Sequence, residues 1–238
     1  MGITKPSGTL NLLNLIVREF ALDGSRQSLL DIGCGDGLLS ARLHQFFTSV
    51  VAIDADSSAI ALAKATFANR TGLDFRSGNA ENASEVLRED EIFDCIVSVL
   101  ALHHMQTDQV LAAAKRHIGP KGRIIIVDIY ADDKRSFLSY FLDQFIWSLV
   151  RHPFIVAASI RILGWIAAIR YLEWRLKYSL SWSGKQHIMT DLSLGLPLSL
   201  SEWREALERS LPGGALTLAI ASTFVFMWSN DKIARLNG

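Results

Sequence analysis

Three glycines at alternate positions, in the stretch DIGCGDG from Asp31 to Gly37, are the feature that most constrains this chain. An apolar run ends directly before them, and a helix-like segment begins directly after them. Because glycine costs backbone entropy, such a cluster needs a reason, either positive φ or close approach of a ligand to the backbone. The stretch therefore predicts a strand, a tight bend and a helix, with the bend as a candidate binding site.

Apolar runs of strand length alternate with helical patterns over the first 130 residues. Near-continuous apolar runs are typical of strands that are buried on both faces of a parallel sheet. The predicted strands are residues 28–32, 50–54, 74–76, 93–99 and 122–129, and the predicted helices are residues 38–47, 57–68, 83–89 and 108–117. Ser57 and Asp108 are the predicted N-caps of two of these helices. The alternation predicts an open, doubly wound α/β sheet with right-handed crossovers.

The alternation stops after the fifth predicted strand. Residues 134–178 read as two helices parted at Pro153, because proline ends one helix and can start the next. The stretch SLSEWRE, residues 199–205, predicts a capped helix, and two short strand-like runs follow at residues 216–220 and 224–228. We interpret residues 1–238 as a single domain with a helical insertion, residues 132–198, before its last helix and hairpin.

The glycine bend and the end of the second strand together predict the kind of ligand. In open parallel sheets, ligands bind beyond the carboxyl ends of the strands, and an acid there can accept hydrogen bonds from ribose hydroxyls. Asp54 closes the second predicted strand. A dinucleotide fingerprint would need glycine where Leu38 stands, and Asp36 would repel a pyrophosphate. These acidic positions favour a cationic nucleoside, and S-adenosylmethionine carries both an ammonium and a sulfonium.

Several motifs, in order along most of the chain, resemble those of class I S-adenosylmethionine-dependent methyltransferases, in particular the small-molecule type 11 and 12 groups. They are DIGCGDG, AID ending at Asp54, GNAE from Gly78, FDCIVSVLALHH from Phe93, IGPKGRI from Ile118, and EWR with the later LPGG. The resemblance implies a Rossmann-like, mostly parallel seven-stranded sheet that ends in an antiparallel hairpin, with the helical insertion as a substrate lid. It also implies S-adenosylmethionine as cofactor, S-adenosylhomocysteine as product and no metal.

The resemblance also implies a role for individual residues. The methionine part of the cofactor would lie against the first bend, the ribose against the end of strand two, the base after strand three and the sulfonium after strand four. The implied cofactor-binding residues are Asp31, Gly33, Cys34, Gly35, Asp54, Ala55, Asn79, Ala80, Val99 and Leu100. Many relatives have Asp where this chain has Asn79, so its bond to the adenine amino group would use a neutral amide oxygen.

Transfer to a hydroxyl or an activated carbon also requires removal of a proton, for which a histidine near neutral pH can serve as base. We expect His104 to be that base, because the matching position in the family commonly faces the substrate; the alternative is that it only bonds a loop carbonyl. His187 lies four residues before Asp191 and is a second catalytic candidate. The candidate substrate-binding residues are His103, Asp128, Tyr130 and Arg151.

The predicted insertion is rich in basic and aromatic residues. Between positions 134 and 177 it holds seven basic and two acidic residues, together with nine aromatic side chains. A helical lid packed on the sheet, a pocket for an apolar or aromatic metabolite, and docking at a membrane surface remain open alternatives. A spanning helix is not expected, because the apolar run 154–169 is short and contains Arg161.

The whole-chain composition narrows the remaining choices. The formal charge is zero and no basic run exists, which argues against a nucleic-acid partner. The two cysteines, Cys34 and Cys95, have no metal-ligand spacing, and the first residues lack a signal peptide's apolar core, so we expect a cytoplasmic protein. A homodimer is a further alternative.

The sequence therefore predicts a methyltransferase that acts on a small, apolar or aromatic metabolite, with oxygen as the first choice of acceptor and carbon or nitrogen as alternatives. Two other functions stay open at this point. One is binding of S-adenosylmethionine without methyl transfer, and the other is a dinucleotide-dependent oxidoreductase.

Overall fold

In the computed structural model of the chain, the described residues are 24–131, 198–218 and 223–230, together with Ala21. All of them except Ala131 fall in one compact unit, Asn11–Tyr130 with Leu198–Gly238. His187 and Arg151 lie outside the described residues, as does nearly all of the predicted insertion, residues 132–197.

The strands are β1 (Ser28–Ile32), β2 (Ser49–Asp54), β3 (Leu73–Ser77), β4 (Phe93–Val99), β5 (Ile118–Ile129), β6 (Ala215–Leu218) and β7 (Thr223–Ser229). The helices are α1 (Leu38–Leu43), α2 (Ser57–Thr66), α3 (Ala83–Val86), α4 (Thr107–His117) and α5 (Leu200–Ser210), with 3₁₀ turns at Ala80–Asn82 and Leu102–His104.

The seven strands form one sheet in the order β3-β2-β1-β4-β5-β7-β6. Strands β1 to β5 pair in parallel, whereas β7 is antiparallel to both β5 and β6. The strand order reverses between β1 and β4, where Leu30 of β1 lies beside Val51 of β2 and Ile96 of β4. The predicted Rossmann-like fold with its antiparallel hairpin is confirmed, and the reversal places a ligand crevice beyond the ends of β1 and β4.

The central strands are buried on both faces, as their continuous apolar runs predict. Leu29, Cys95 and Val97 contribute to one apolar cluster, and Leu30 and Ile96 to another. All five side chains are at most 1% exposed. Packing on both faces holds the central strands in position, and with them the polar residues at the strand ends.

Several helix ends differ from the predicted ones for local reasons. The N-cap of α2 is Asp56 rather than Ser57, because the Asp56 carboxylate accepts hydrogen bonds from the amides of Ser58 and Ala59. Helix α4 begins before Asp108, whose carboxylate instead accepts two hydrogen bonds from Arg209 of α5. Side-chain capping is therefore found at α2, one residue before the predicted position, whereas the N-cap of α4 is Gln106, which makes no side-chain capping bond.

Strand β5 starts four residues earlier than predicted, because its first part pairs with β4 through a register shift. Phe93 lies beside Ile118, but Cys95 lies beside Arg123. The glycines and proline of this stretch are accommodated in an irregular strand.

The last helix is capped as predicted. The Ser199 hydroxyl accepts a hydrogen bond from the Glu202 amide, and the Glu202 carboxylate accepts one from the Ser199 amide. Trp203 of this helix is fully buried, and its indole N–H donates to the carbonyl of Ile129 at 3.0 Å. Helix α5 therefore supports the carboxyl end of β5, next to Asp128.

Candidate functional site

The glycine bend is attached directly to the second strand. The amides of Gly33 and Cys34 both donate to the carbonyl of Ile53, at 2.9 and 3.1 Å. Gly33, Gly35 and Gly37 all have positive φ, between 54° and 74°. The bend thus needs glycine for its backbone shape, because side chains disfavour the left-handed region.

The three glycines differ in what a side chain would meet. A Cβ at Gly33 would lie 2.2 Å from the Cβ of Ala101, and one at Gly37 would lie 2.3 Å from the Phe75 ring. A Cβ at Gly35 would meet no heavy atom within 4 Å. Gly33 and Gly37 therefore permit internal packing, whereas the open space at Gly35 is a cradle that a bound ligand can use.

The Asp54 carboxylate closes this cradle on one side. Its Oδ2 accepts from the Gly35 amide at 2.7 Å, and its Oδ1 accepts from the Asp56 amide at 2.8 Å. Each carboxylate oxygen has a second acceptor position, so Asp54 can also accept from ligand hydroxyls. The side chain is partly exposed at the end of β2, where a sugar would reach it.

Asp31 lies beneath the bend and is a second acidic group of the site. It is 1% exposed, and its Oδ2 accepts from the Ser40 hydroxyl at 2.6 Å. Burial raises the pKa of Asp31 to about 7; the Ser40 hydrogen bond opposes this shift and the charge of Asp54 adds to it. Burial, with the charges of Asp31 and Asp54, also raises the pKa of the Cys34 thiol, so Cys34 is not a nucleophile here.

This pKa shift predicts a pH-dependent stability. Since the pKa of Asp31 is higher in the folded protein than the ordinary 3.8, its contribution to stability is present below pH 3.8 and is lost as the pH rises to about 7. We expect Asp31→Asn to remove this loss. Relative to wild type, the free energy of unfolding of Asp31→Asn should therefore increase by on the order of 2 kcal/mol between about pH 5 and pH 7. Urea titrations of both ligand-free proteins at the two pH values measure this; an unchanged difference would contradict it.

The segment after β3 borders the bend from the far side of β2. Asn79 is exposed, and its Oδ1 accepts from the Glu81 amide, while its Nδ2 donates to Glu81 Oε2, both at 3.0 Å. Ala80 is buried and Ala55 is exposed. The order of strands β3, β2 and β1 thus places Asn79 and Ala55 at the end of the sheet that also carries the bend.

The end of β4 carries an unusual backbone conformation. Leu100 has φ of 55°, and among the described residues it is the one non-glycine residue with positive φ. Its amide donates to the carbonyl of Val127 at 2.7 Å, which holds the turn. Val99 and Leu100 are both half-buried beside the apolar cluster of Val97. Such strain is concentrated at functional sites, and this turn lies where the strand order reverses.

The structure joins two of the predicted substrate-binding residues. His103 Nδ1 lies 2.5 Å from Asp128 Oδ1, and the His103 backbone amide donates to Asp128 Oδ2 at 3.1 Å. Asp128 is fully buried at the end of β5. The rings of His103 and His104 lie against each other with centroids 3.9 Å apart. Tyr130 is half-buried and follows Asp128 by two residues.

Sequence reasoning missed two residues that the structure connects to the site. Ser40 bonds Asp31 from the first turn of α1, and no sequence signal distinguishes it from an ordinary helix serine. Glu81 bonds both Asn79 and the amide of Gln106, and its place in the GNAE stretch was the only signal. Within the residues that the structure describes, no cluster of His, Cys, Asp and Glu could hold a metal ion. In that same part of the chain, no helix is apolar and long enough to span a membrane.

These residues fit S-adenosylmethionine chemically. The bend offers open space at Gly35, the Asp54 carboxylate lies beside it, and a ligand that carries positive groups would favour the ionised form of the buried Asp31. Asp54 suits ribose hydroxyls, and the half-buried Val99 and Leu100 suit the apolar surroundings of a sulfonium.

Comparisons with known proteins agree with this geometry. Residues 30–126 match the methyltransferase domain family. Over 115 residues, 46% of this chain and 54% of the relative, the chain is 33% identical to an uncharacterized methyltransferase of Mycobacterium tuberculosis. Over 148 residues it is 28% identical to the ubiquinone biosynthesis O-methyltransferase of Rickettsia felis, covering 58% of this chain and 59% of that protein. The chain thus spans little more than half the length of these relatives.

One solved structure has a similar fold. The N-methyltransferase NodS from Bradyrhizobium japonicum, in complex with S-adenosylhomocysteine, has a TM-score of 0.56 and 13% identity, with 92% of this chain and 86% of that chain covered. An identity this low supports the fold alone. Residues 30–126, from β1 into β5, therefore match a methyltransferase domain, and the described residues share the fold of a solved methyltransferase.

Proposed function

We propose that this protein transfers a methyl group from S-adenosylmethionine to a hydroxyl oxygen of a small, apolar or aromatic metabolite. When bound, the cofactor supplies an electrophilic methyl group on a sulfonium, whose thioether leaves without acid assistance. The protein must hold the acceptor in line with that methyl group and take up the hydroxyl proton. Positioning of this kind can supply about 7–11 kcal/mol of the barrier.

The observation that carries this proposal is the contact between His103 and Asp128. An ionised carboxylate only accepts hydrogen bonds, so Nδ1–H of His103 donates to Asp128 Oδ1. This fixes the tautomer and leaves the lone pair on Nε2 as the base. We therefore propose His103 as the base, oriented by Asp128, with the adjoining His104 and Tyr130 next to the acceptor. His104, the base expected from the family resemblance, remains the alternative.

The binding roles follow from the geometry of the bend. We propose that Asp54 accepts from the ribose hydroxyls, that Gly35 faces the methionine part and that Asp31 lies beneath it, where a bound cation favours its ionised form. Asn79 and Ala80 would border the adenine. The roles of His187 and Arg151 in the acceptor site stay predictions, because both lie outside the described residues.

Oxygen is the preferred acceptor for two reasons. A hydroxyl needs a base, which the His103 and Asp128 pair provides, whereas a neutral amine acceptor can react without one. One of the relatives is named as an O-methyltransferase of ubiquinone biosynthesis, which acts on the same kind of atom. Carbon or nitrogen as acceptor is the second candidate.

Calorimetry and a labelled-methyl screen test the proposal together. We expect purified protein to bind S-adenosylhomocysteine and not NAD, and Asp54→Ala to abolish that binding. We then expect methyl-labelled cofactor and an extract of small metabolites to yield a labelled O-methyl ether. Binding of NAD alone would favour the oxidoreductase, and cofactor binding with no labelled product from any extract would favour a binding protein without transfer.

The cellular setting is also a proposal. The two cysteines of the chain, Cys34 and Cys95, are both buried and free, which supports a reducing, cytoplasmic compartment. A small-molecule acceptor is the proposed partner. Membrane contact through residues 132–198 and a homodimer remain predictions.

A further inference from the structure

We infer that Glu81 is a positioning residue that couples the adenine side of the cofactor site to the segment carrying the histidines. This segment, Ala101 to Gln106, is called the histidine segment below. The inference rests on the proposed function, because it assumes that Asn79 borders the cofactor and that His103 acts on the acceptor. Nothing in the sequence motifs assigns this role to Glu81.

The Glu81 carboxylate holds one group on each side. Its Oε2 accepts from Nδ2 of Asn79 at 3.0 Å, and its Oε1 accepts from the amide of Gln106 at 2.5 Å. The Glu81 amide in turn donates to Oδ1 of Asn79 at 3.0 Å. Because the acceptor is ionised, both carboxylate bonds are of the stronger, charge-assisted kind. The side chain therefore connects the ends of β3 and β4, which are not neighbours in the sheet.

The residues next to Glu81 also pack against the histidine segment. Ala80 and Leu102 are buried in the same apolar cluster, and Met105 packs against that cluster. Helix α4, which begins directly after Gln106, packs on the 3₁₀ turn Ala80–Asn82. A shift of Asn79 can thus reach the histidine segment through one side chain.

The histidine segment also contacts the glycine bend. A Cβ at Gly33 would lie 2.2 Å from the Cβ of Ala101 and 3.4 Å from Cε of Met105. The glycine bend, Asn79 and the histidine segment are therefore linked, and Glu81 makes the polar contacts between the last two. We expect cofactor binding at the bend and at Asn79 to restrict the motion of the histidine segment.

A substitution at Gln106 can remove the same hydrogen bond from the donor side. Its φ of −74° matches the value that proline imposes, and Met105 before it is extended, as residues before proline prefer. Gln106→Pro removes the amide that donates to Glu81 and leaves the backbone path unchanged. Gln106→Ala keeps this amide and removes only the side chain, so it is the matched control.

Hydrogen exchange followed by mass spectrometry, with and without S-adenosylhomocysteine, tests the inference without any turnover. In wild type we expect the ligand to slow exchange both in the bend, residues 33–37, and in the histidine segment. In Glu81→Ala and Gln106→Pro we expect protection of the bend to remain. Protection of the histidine segment should fall by about tenfold, the effect of one charge-assisted hydrogen bond on a local opening equilibrium. Gln106→Ala should behave as wild type.

The outcomes separate the two proposals. If the bend is protected in every variant and the histidine segment of Glu81→Ala and Gln106→Pro is protected as in wild type, Glu81 does not couple the sites and the inference is wrong. If the ligand protects nothing in wild type, the cofactor site itself is wrong and both proposals fail. If Glu81→Ala does not fold, the comparison of Gln106→Pro with Gln106→Ala still shows whether this hydrogen bond couples the two segments. A shared loss of thermal stability without this local difference would mean a merely structural role and would overturn the inference.

Discussion

Replacement of His103 by alanine is expected to lower kcat for the labelled acceptor by about 10²–10⁴, the usual contribution of a general base. The cofactor Kd should stay near that of wild type, because the residues proposed to hold the cofactor are Asp31, Gly35, Asp54 and Asn79.

Two further variants make the assignment specific. Asp128 is fully buried and accepts hydrogen bonds from the His103 ring, the His103 amide and the Ile129 amide. Asp128→Asn puts an amide NH₂ among these donors, so we expect it to lower kcat like His103→Ala and also to lower stability by about 1–3 kcal/mol. His104→Ala should reduce kcat less than His103→Ala, because the carboxylate orients His103. The opposite ranking in single-turnover kinetics would assign the base to His104.

Replacement of Gly35 by alanine is expected to weaken binding of S-adenosylhomocysteine by more than about tenfold, a loss of at least about 1.4 kcal/mol. The added methyl group meets no protein atom within 4 Å, so it occupies the space in front of the bend and not the core. The φ of 54° also costs a side chain roughly 1–2 kcal/mol of folding stability. Calorimetry gives the affinity and urea titration gives the stability.

Gly213 provides the matched control for this experiment. It also has positive φ, 75°, and an added Cβ there meets no heavy atom within 4 Å. It lies in the turn before β6, at the far edge of the sheet from the bend. Gly213→Ala should therefore lose similar stability and bind the ligand as wild type. Equal affinities for the two variants would show that strain, and not the cradle, explains the result at Gly35.

The sequence was most informative where local chemistry and fold demand the same residue. Gly33, Gly35 and Gly37 predicted the bend, since each occupies a positive φ that other residues disfavour. The continuous apolar runs of β1 and β4 predicted strands that are buried on both faces. Asp54 predicted an acid beside the bend because parallel strands end at the same edge of the sheet.

The sequence was least informative where contacts join distant segments. His103 and His104 are adjacent, and only the tertiary structure places a buried carboxylate, Asp128, against the first of them. The N-caps Asp56 and Gln106 lie one and two residues before the predicted ones, and the Asp108 carboxylate pairs instead with Arg209, which is distant in sequence. The sequence showed Glu81 only as the last residue of the GNAE motif, and only the structure shows its bond to the Gln106 amide.

The sequence by itself determined the fold class, the bend and the acidic residues beside the bend, because backbone conformation, burial pattern and strand ends are properties of short segments. Only the tertiary structure decided which histidine meets a carboxylate, why Asp31 holds its proton to about pH 7 and which side chain ties the ends of β3 and β4 together. Those properties depend on burial and on distances between atoms that are far apart along the chain, and no local pattern encodes either.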